Sequence, residues 1–136
     1  MSIAVRYYTK SKKGNTEKIA NFIKEKLNVE VFDVFIPLKE KVDILLLVNA
    51  MYANDVDVEI KKFLKNNKDK IGQVVNINSS ASGLSTLKAV KKACGKYLIP
   101  VSEKEFHTVA SWIFINKGRP NADDFKKLEE FLEQFK

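Results

Sequence analysis

The sequence predicts an α/β domain, a three-layer sandwich in which a five-stranded parallel sheet of order 2-1-3-4-5 carries helices on both faces. Three observations lead there. Short apolar runs alternate with stretches whose apolar residues recur every three or four positions, with no linker, repeat or low-complexity segment between them. The third run, Val42-Asp43-Ile44-Leu45-Leu46-Leu47-Val48, is nearly continuous apolar sequence, as a central parallel strand covered on both faces requires. The second, in which Val29, Val31 and Val34 flank Glu30 and Asp33, only partly alternates and suits a sheet edge.

Each element follows in order. Ile3-Ala4-Val5-Arg6-Tyr7-Tyr8 makes a first strand over about 2–8, and Ile19, Ile23 and Leu27, four residues apart, make a helix over about 15–27. The segment 35–41 is too short for a full helix, so the crossover between the second and third strands is abbreviated. A helix over about 56–67 buries Ile60, Phe63 and Leu64, and a strand near 73–78 follows. The next helix, near 84–97, aligns Leu84, Leu87, Val90 and Cys94 on one stripe. The fifth strand falls within an interrupted region, about 99–115. Pro120-Asn121 starts the last helix, where Asp123 and Asp124 suit the positive end and Phe125, Leu128, Phe131, Leu132 and Phe135 bury one side. In such a sheet, ligands collect at the carboxyl ends of strands one and three, where the strand order reverses. The loops 9–16, 49–56 and 78–83 meet there.

Composition sets the class. The chain has 136 residues, 45% hydrophobic and 30% charged, which suits one folded domain over 1–136 and excludes a disordered segment. No apolar run approaches the roughly 20 residues needed to span a bilayer, and the first strand begins too near Met1 for a leader, so a cytoplasmic protein is expected. The lone cysteine, Cys94, fits a reducing compartment and sits on an apolar stripe as a small buried side chain. The balance is basic, 24 Lys and Arg against 17 Asp and Glu for a net charge of +7. Most lysines lie on helix faces, and only Lys10, Lys12 and Lys13 cluster. Without a recognition helix or RNA-binding aromatics, no nucleic-acid role is expected. His107 has no serine or acid arranged as a triad, and no set of His and Cys converges on a metal.

The chemistry concentrates in the first loop. A strand, a small polar loop and a helix start aim backbone N–H groups at an anion. The loop lacks the Gly-x-x-x-x-Gly-Lys-Ser/Thr of Walker-type nucleotide sites. It is not that of a response-regulator receiver either, since Tyr8-Thr9 and Asn49-Ala50 stand where a receiver carries its acidic residues and phosphoacceptor. Its closing Gly14-Asn15-Thr16, with Ala20, resembles the phosphate-binding loop of flavodoxins. Val48-Asn49-Ala50-Met51-Tyr52-Ala53-Asn54-Asp55 is similar to the family segment in which the third strand ends in a small-residue turn carrying an aromatic, and Lys117-Gly118-Arg119-Pro120-Asn121 also resembles small flavodoxin-like proteins. Two departures stand out. The first loop is two residues longer than the family's, leaving Ser11 and Lys13 as alternatives for its middle hydroxyl position, and the second loop has Ala53-Asn54 where a glycine is usual.

The resemblance implies the cofactor FMN and a site of three loops. Its residues would be Thr9, Lys10, Ser11, Lys12, Lys13, Gly14, Asn15 and Thr16 around the phosphate. Asn49, Ala50, Met51, Tyr52, Ala53 and Asn54 would meet the flavin ring, and Ser79, Ser80, Ala81, Ser82 and Gly83 its pyrimidine edge. Independently, an aromatic at a switch-point loop offers a flat apolar wall to a ring system. The third loop lacks the family's aromatic; Trp112 is either its replacement or a core residue. The function implied is a one-electron carrier rather than a catalyst, a monomer meeting redox protein partners with acidic surfaces and no membrane. A small flavin-dependent reductase and a cofactor-free interaction module are the alternatives.

Overall fold

The structure, a computed structural model, describes residues 1–8, 10, 14–50, 55–111 and 118–136. The strands are β1 (Ile3–Tyr7), β2 (Glu30–Asp33), β3 (Val42–Ala50), β4 (Ile71–Ser80) and β5 (Phe106–Val109). They form one sheet of order β2-β1-β3-β4-β5, every pairing parallel. The helices are α1 (Asn15–Leu27), α2 (Val58–Asn67), α3 (Leu87–Gly95) and α4 (Ala122–Leu132). The expected order and edge strand are both present.

Two apolar clusters, one per sheet face, hold the layers together. Val5, Leu46, Val48, Val75 and Ile77 pack under Ile19 and Ile23 of α1 and Leu128 and Leu132 of α4. Ala4, Leu45, Leu47 and Val74 pack under Ile60, Phe63 and Leu64 of α2 and Val90, Ala93 and Cys94 of α3. Burial of such side chains contributes about 1.5–3 kcal/mol each. At Gly72 a Cβ would lie 2.6 Å from the Asp43 carbonyl oxygen, so only glycine lets the start of β4 approach β3 so closely.

Four local outcomes shape the rest. The crossover between β2 and β3 has no helix: it is a turn held by Arg6, which donates to Ile36 O and Pro37 O, and from the end of α2 by Asn67, whose Oδ1 accepts from Leu38 N at 3.0 Å. The fifth-strand region is interrupted as expected, with Val101 bridging Val74 in isolation before β5 begins at Phe106. The helix expected near 84–97 is shorter. Leu84 lies before it and is 59% exposed, because the Leu84 carbonyl is occupied by Asn78 Nδ2 (3.1 Å) and Ser80 Oγ (3.0 Å) instead of a helical N–H. At α4, Asn121 and Asp124 form a reciprocal capping box, and Asp124 is buried rather than a surface charge at the helix end.

Candidate functional site

β1 lies between β2 and β3, so chain direction parts at its carboxyl end, immediately before the first loop. The loop ends at Gly14, the N-cap of α1, which has extended backbone and no side chain with which to satisfy the first-turn N–H groups. A helix start of this kind concentrates positive potential. Thr16 is buried in that first turn (3% exposed), and Asn15 Nδ2 reaches both the carbonyl and the hydroxyl of Ser111 at 3.4 Å. Ser111 N in turn donates to Arg119 O at 2.8 Å, closing the base of the segment between β5 and α4. The start of α1 is thus moored to the far side of the sheet's end.

Lys10 is exposed, but its Nζ lies 3.5 Å from Asp57 Oδ2. Asp57 is itself nearly buried as the N-cap of α2, its Oδ1 accepting from Glu59 N at 2.9 Å. The first loop therefore has an acidic neighbour from the crossover between β3 and β4. Sequence reading missed Asp57; its position before Val58 signals a helix cap and says nothing about which loop it faces. Next to it, Lys61 bonds Asp55 at 2.6 Å and holds that carboxyl below the usual range.

At the end of β3, Ala50 is half-buried and pairs with Ser79, whereas Asn49 is fully buried. Its amide donates to Asn76 Oδ1 at 2.8 Å and its oxygen accepts from Thr86 Oγ1 at 2.6 Å, so the side chain is directed into the sheet's interior rather than outward. In the third loop Ser79 and Ser80 are buried while Ala81 and Ser82 are exposed. Gly83 N donates to Ser80 O at 3.2 Å and Gly83 takes a positive φ of 77°, which suits glycine. His107 Nδ1 lies 2.9 Å from Gly83 O, a bond in which that nitrogen carries the proton. Thr9, Ser11, Lys12, Lys13, Met51, Tyr52, Ala53, Asn54 and Trp112 lie outside the described residues.

Among the described residues, no three His, Cys, Asp or Glu side chains are placed to hold a metal ion. Among them, too, no helix is long and apolar enough to cross a membrane. Neither a protein-family model nor a curated protein matches the chain by sequence. Solved structures do match it in three dimensions. Oxidised flavodoxin 1 from Bacillus cereus superposes with a TM-score of 0.68 at 16% identity, over 98% of this chain and 95% of that one. The two-electron reduced flavodoxin of Megasphaera elsdenii gives 0.63 at 20% identity, over 97% and 98%. The fold is flavodoxin-like. An NADH:FMN oxidoreductase shares it as well, with a TM-score of 0.67 at 14% identity over 98% and 87%. Because β1, β3 and β4 pair in parallel, their carboxyl ends, Tyr7, Ala50 and Ser80, lie at the same end of the sheet.

Proposed function

We propose that this protein binds FMN and carries single electrons between protein partners. The observation that carries the reading is the start of α1: a glycine cap without a side-chain acceptor and a buried threonine in the first turn, at the point where the strand order reverses. That donor set suits a phosphate monoester. Gly14, Asn15 and Thr16 would hold it, together with Thr9, Lys10, Ser11, Lys12 and Lys13. Asn49, Ala50, Met51, Tyr52, Ala53 and Asn54 would line the ring, and the backbone of Ser79, Ser80, Ala81, Ser82 and Gly83 its polar edge. Bound there, FMN would supply reversible one- and two-electron chemistry.

This chain's own part is to bind, orient and tune. The hydroxyls and first-turn N–H groups would donate hydrogen bonds to the phosphate, and Lys10, whose Nζ lies 3.5 Å from Asp57 Oδ2, would add positive charge. The exposed, small Ala81 and Ser82 leave a rim where a partner can approach for electron exchange. The net charge of +7 favours partners with acidic surfaces.

A second reading, flavin-dependent reduction of a small molecule, is favoured by the fold shared with an NADH:FMN oxidoreductase and by the same open rim. Absorption spectra of the purified protein before and after adding FMN test the first step. Stoichiometric uptake with a perturbed flavin spectrum is the expected result; no uptake leaves the cofactor-free interaction module. Two resolved one-electron potentials in a reductive titration would support the carrier, whereas catalytic reoxidation by a small substrate would support the reductase.

A further inference from the structure

On the sheet face covered by α2 and α3, Leu45, Leu47 and Val74 are apolar, as a central parallel sheet requires. Further toward the carboxyl ends the pattern breaks. Asn49, Asn76 and Asn78 are fully buried there, and Thr86, just before α3, is 1% exposed. Their bonds close on one another. Asn49 Nδ2 donates to Asn76 Oδ1 at 2.8 Å and to Leu47 O at 3.0 Å. Thr86 Oγ1 lies 2.6 Å from Asn49 Oδ1 and 3.1 Å from Asn76 Oδ1. Asn76 Nδ2 donates to Glu105 Oε1 at 3.1 Å, and the same oxygen accepts from Ser85 Oγ at 2.5 Å. Asn78 Oδ1 accepts from Thr86 N at 3.1 Å. Among the described residues, no buried side-chain nitrogen or oxygen lacks a partner.

A satisfied polar cluster of this kind adds little net stability over apolar packing, but it specifies one arrangement. Any shift leaves a buried donor or acceptor unpaired. What it specifies follows from where its members sit. Asn49 is the penultimate residue of β3, where the second loop begins; Thr86 is the N-cap of α3, just beyond the third loop; Glu105 immediately precedes β5.

We propose that Asn49, Asn76 and Thr86, braced by Glu105, are positioning residues that lock the stretch leading from the third loop into α3 against the end of β3, so that these two segments present one preset surface. The inference rests on the flavin reading for its functional consequence: the end of β3 and the third loop are held in mutual register before the ring enters, which spares part of the ordering cost of binding.

Thr86→Val keeps the side chain's shape and removes the hydroxyl; Thr86→Ser keeps the hydroxyl. Residue-resolved amide exchange on the apoprotein reads the coupling, and titration with FMN and with riboflavin reads the positioning. Thr86→Val should speed exchange about tenfold both at Leu84 to Leu87 and at Asn49 and Ala50, and weaken both flavins about equally, about tenfold. Thr86→Ser should restore all of these. Glu105→Ala, at a half-buried position, should act in the same direction. Faster exchange confined to Leu84 to Leu87 overturns the coupling, and unchanged flavin affinity in Thr86→Val overturns the positioning role. If the wild-type protein takes up neither flavin, it is the flavin reading that falls, and the exchange measurements still decide whether the two segments are locked.

Discussion

Arg6 Nη2 lies 2.9 Å from Glu30 Oε1, but the guanidinium's larger task is with main-chain carbonyls. Arg6 is wholly buried in β1; its Nε donates to Ile36 O at 2.7 Å, Nη2 also to Pro37 O at 3.1 Å, and Nη1 to Val5 O at 3.0 Å. The ring of Phe32 lies 5.2 Å from its Cζ. One planar fork thus binds the crossover that has no helix of its own, occupying carbonyls that helical N–H groups would otherwise satisfy.

Arg6→Lys should therefore cost about 3 kcal/mol in chemical denaturation, because an ammonium cannot reach those carbonyls in fork geometry. Glu30→Gln, at a half-exposed edge residue, should cost under about 1 kcal/mol. Similar losses for the two would assign the effect to the ion pair.

Asp124 accepts from Arg119 Nε at 2.6 Å and Nη2 at 2.8 Å, and from Asn121 N at 2.8 Å. The bond to Arg119 is the main reason its carboxyl titrates below the ordinary value. A folded-state value below the unfolded one stabilises the fold above about pH 4, and that contribution fades as pH falls through the folded value. Asp124→Asn should lose about 2 kcal/mol at neutral pH and show a shallower decline of stability below pH ~4. An acid profile parallel to wild type would contradict this.

Cys94 is fully buried among Val90, Ala93 and Ile99, and burial pushes its thiol up to about 12. In native protein at pH ~8 it should resist thiol reagents and react only as fast as the chain unfolds. Rapid stoichiometric labelling would place the sulfur at the surface. Cys94→Ala should cost about 1 kcal/mol, the loss of one small buried group.

Thr16→Val conserves volume in a buried position while removing a hydroxyl beside the cap of α1. By calorimetry it should weaken FMN about tenfold and leave riboflavin nearly unchanged. Equal losses for both ligands would argue against a phosphate role for this turn.

Electron transfer to an acidic protein partner should slow as ionic strength passes about 0.15 M, because exposed charges are screened over roughly 8 Å there. The net charge of +7 motivates the expectation. A rate indifferent to salt would remove charge steering from the account.

The ion pair of Lys10 with Asp57 bears on how the first loop works. Of the three lysines expected to attract an anion, Lys10 has a carboxylate at 3.5 Å, while Lys12 and Lys13 lie outside the described residues. Its spacing from Lys12 and Lys13 was visible along the chain; the acid that faces it comes from the start of another helix.

Local pattern was enough for the architecture. The span of α1, the edge character of β2, the burial of β3 and the absence of a helix between them are consequences of apolar periodicity and segment length, which operate over a few residues. Gly14, at the start of α1, was singled out by the resemblance of Gly14-Asn15-Thr16 to the flavodoxin phosphate loop. What local pattern could not decide is where polar groups inside apolar segments find partners. Arg6 reads as one residue of a strand, and Asn49 as the edge of a loop. The first reaches carbonyls 30 and 31 residues away, and the second accepts from a threonine 37 residues on. Even Leu84, placed on the α3 stripe by its spacing, was taken out of the helix by hydrogen bonds from the end of β4. Burial raises the cost of an unpaired polar group, so those partners must be found somewhere, and only the packing of β1, β3, β4 and α3 against one another determines which lie within reach.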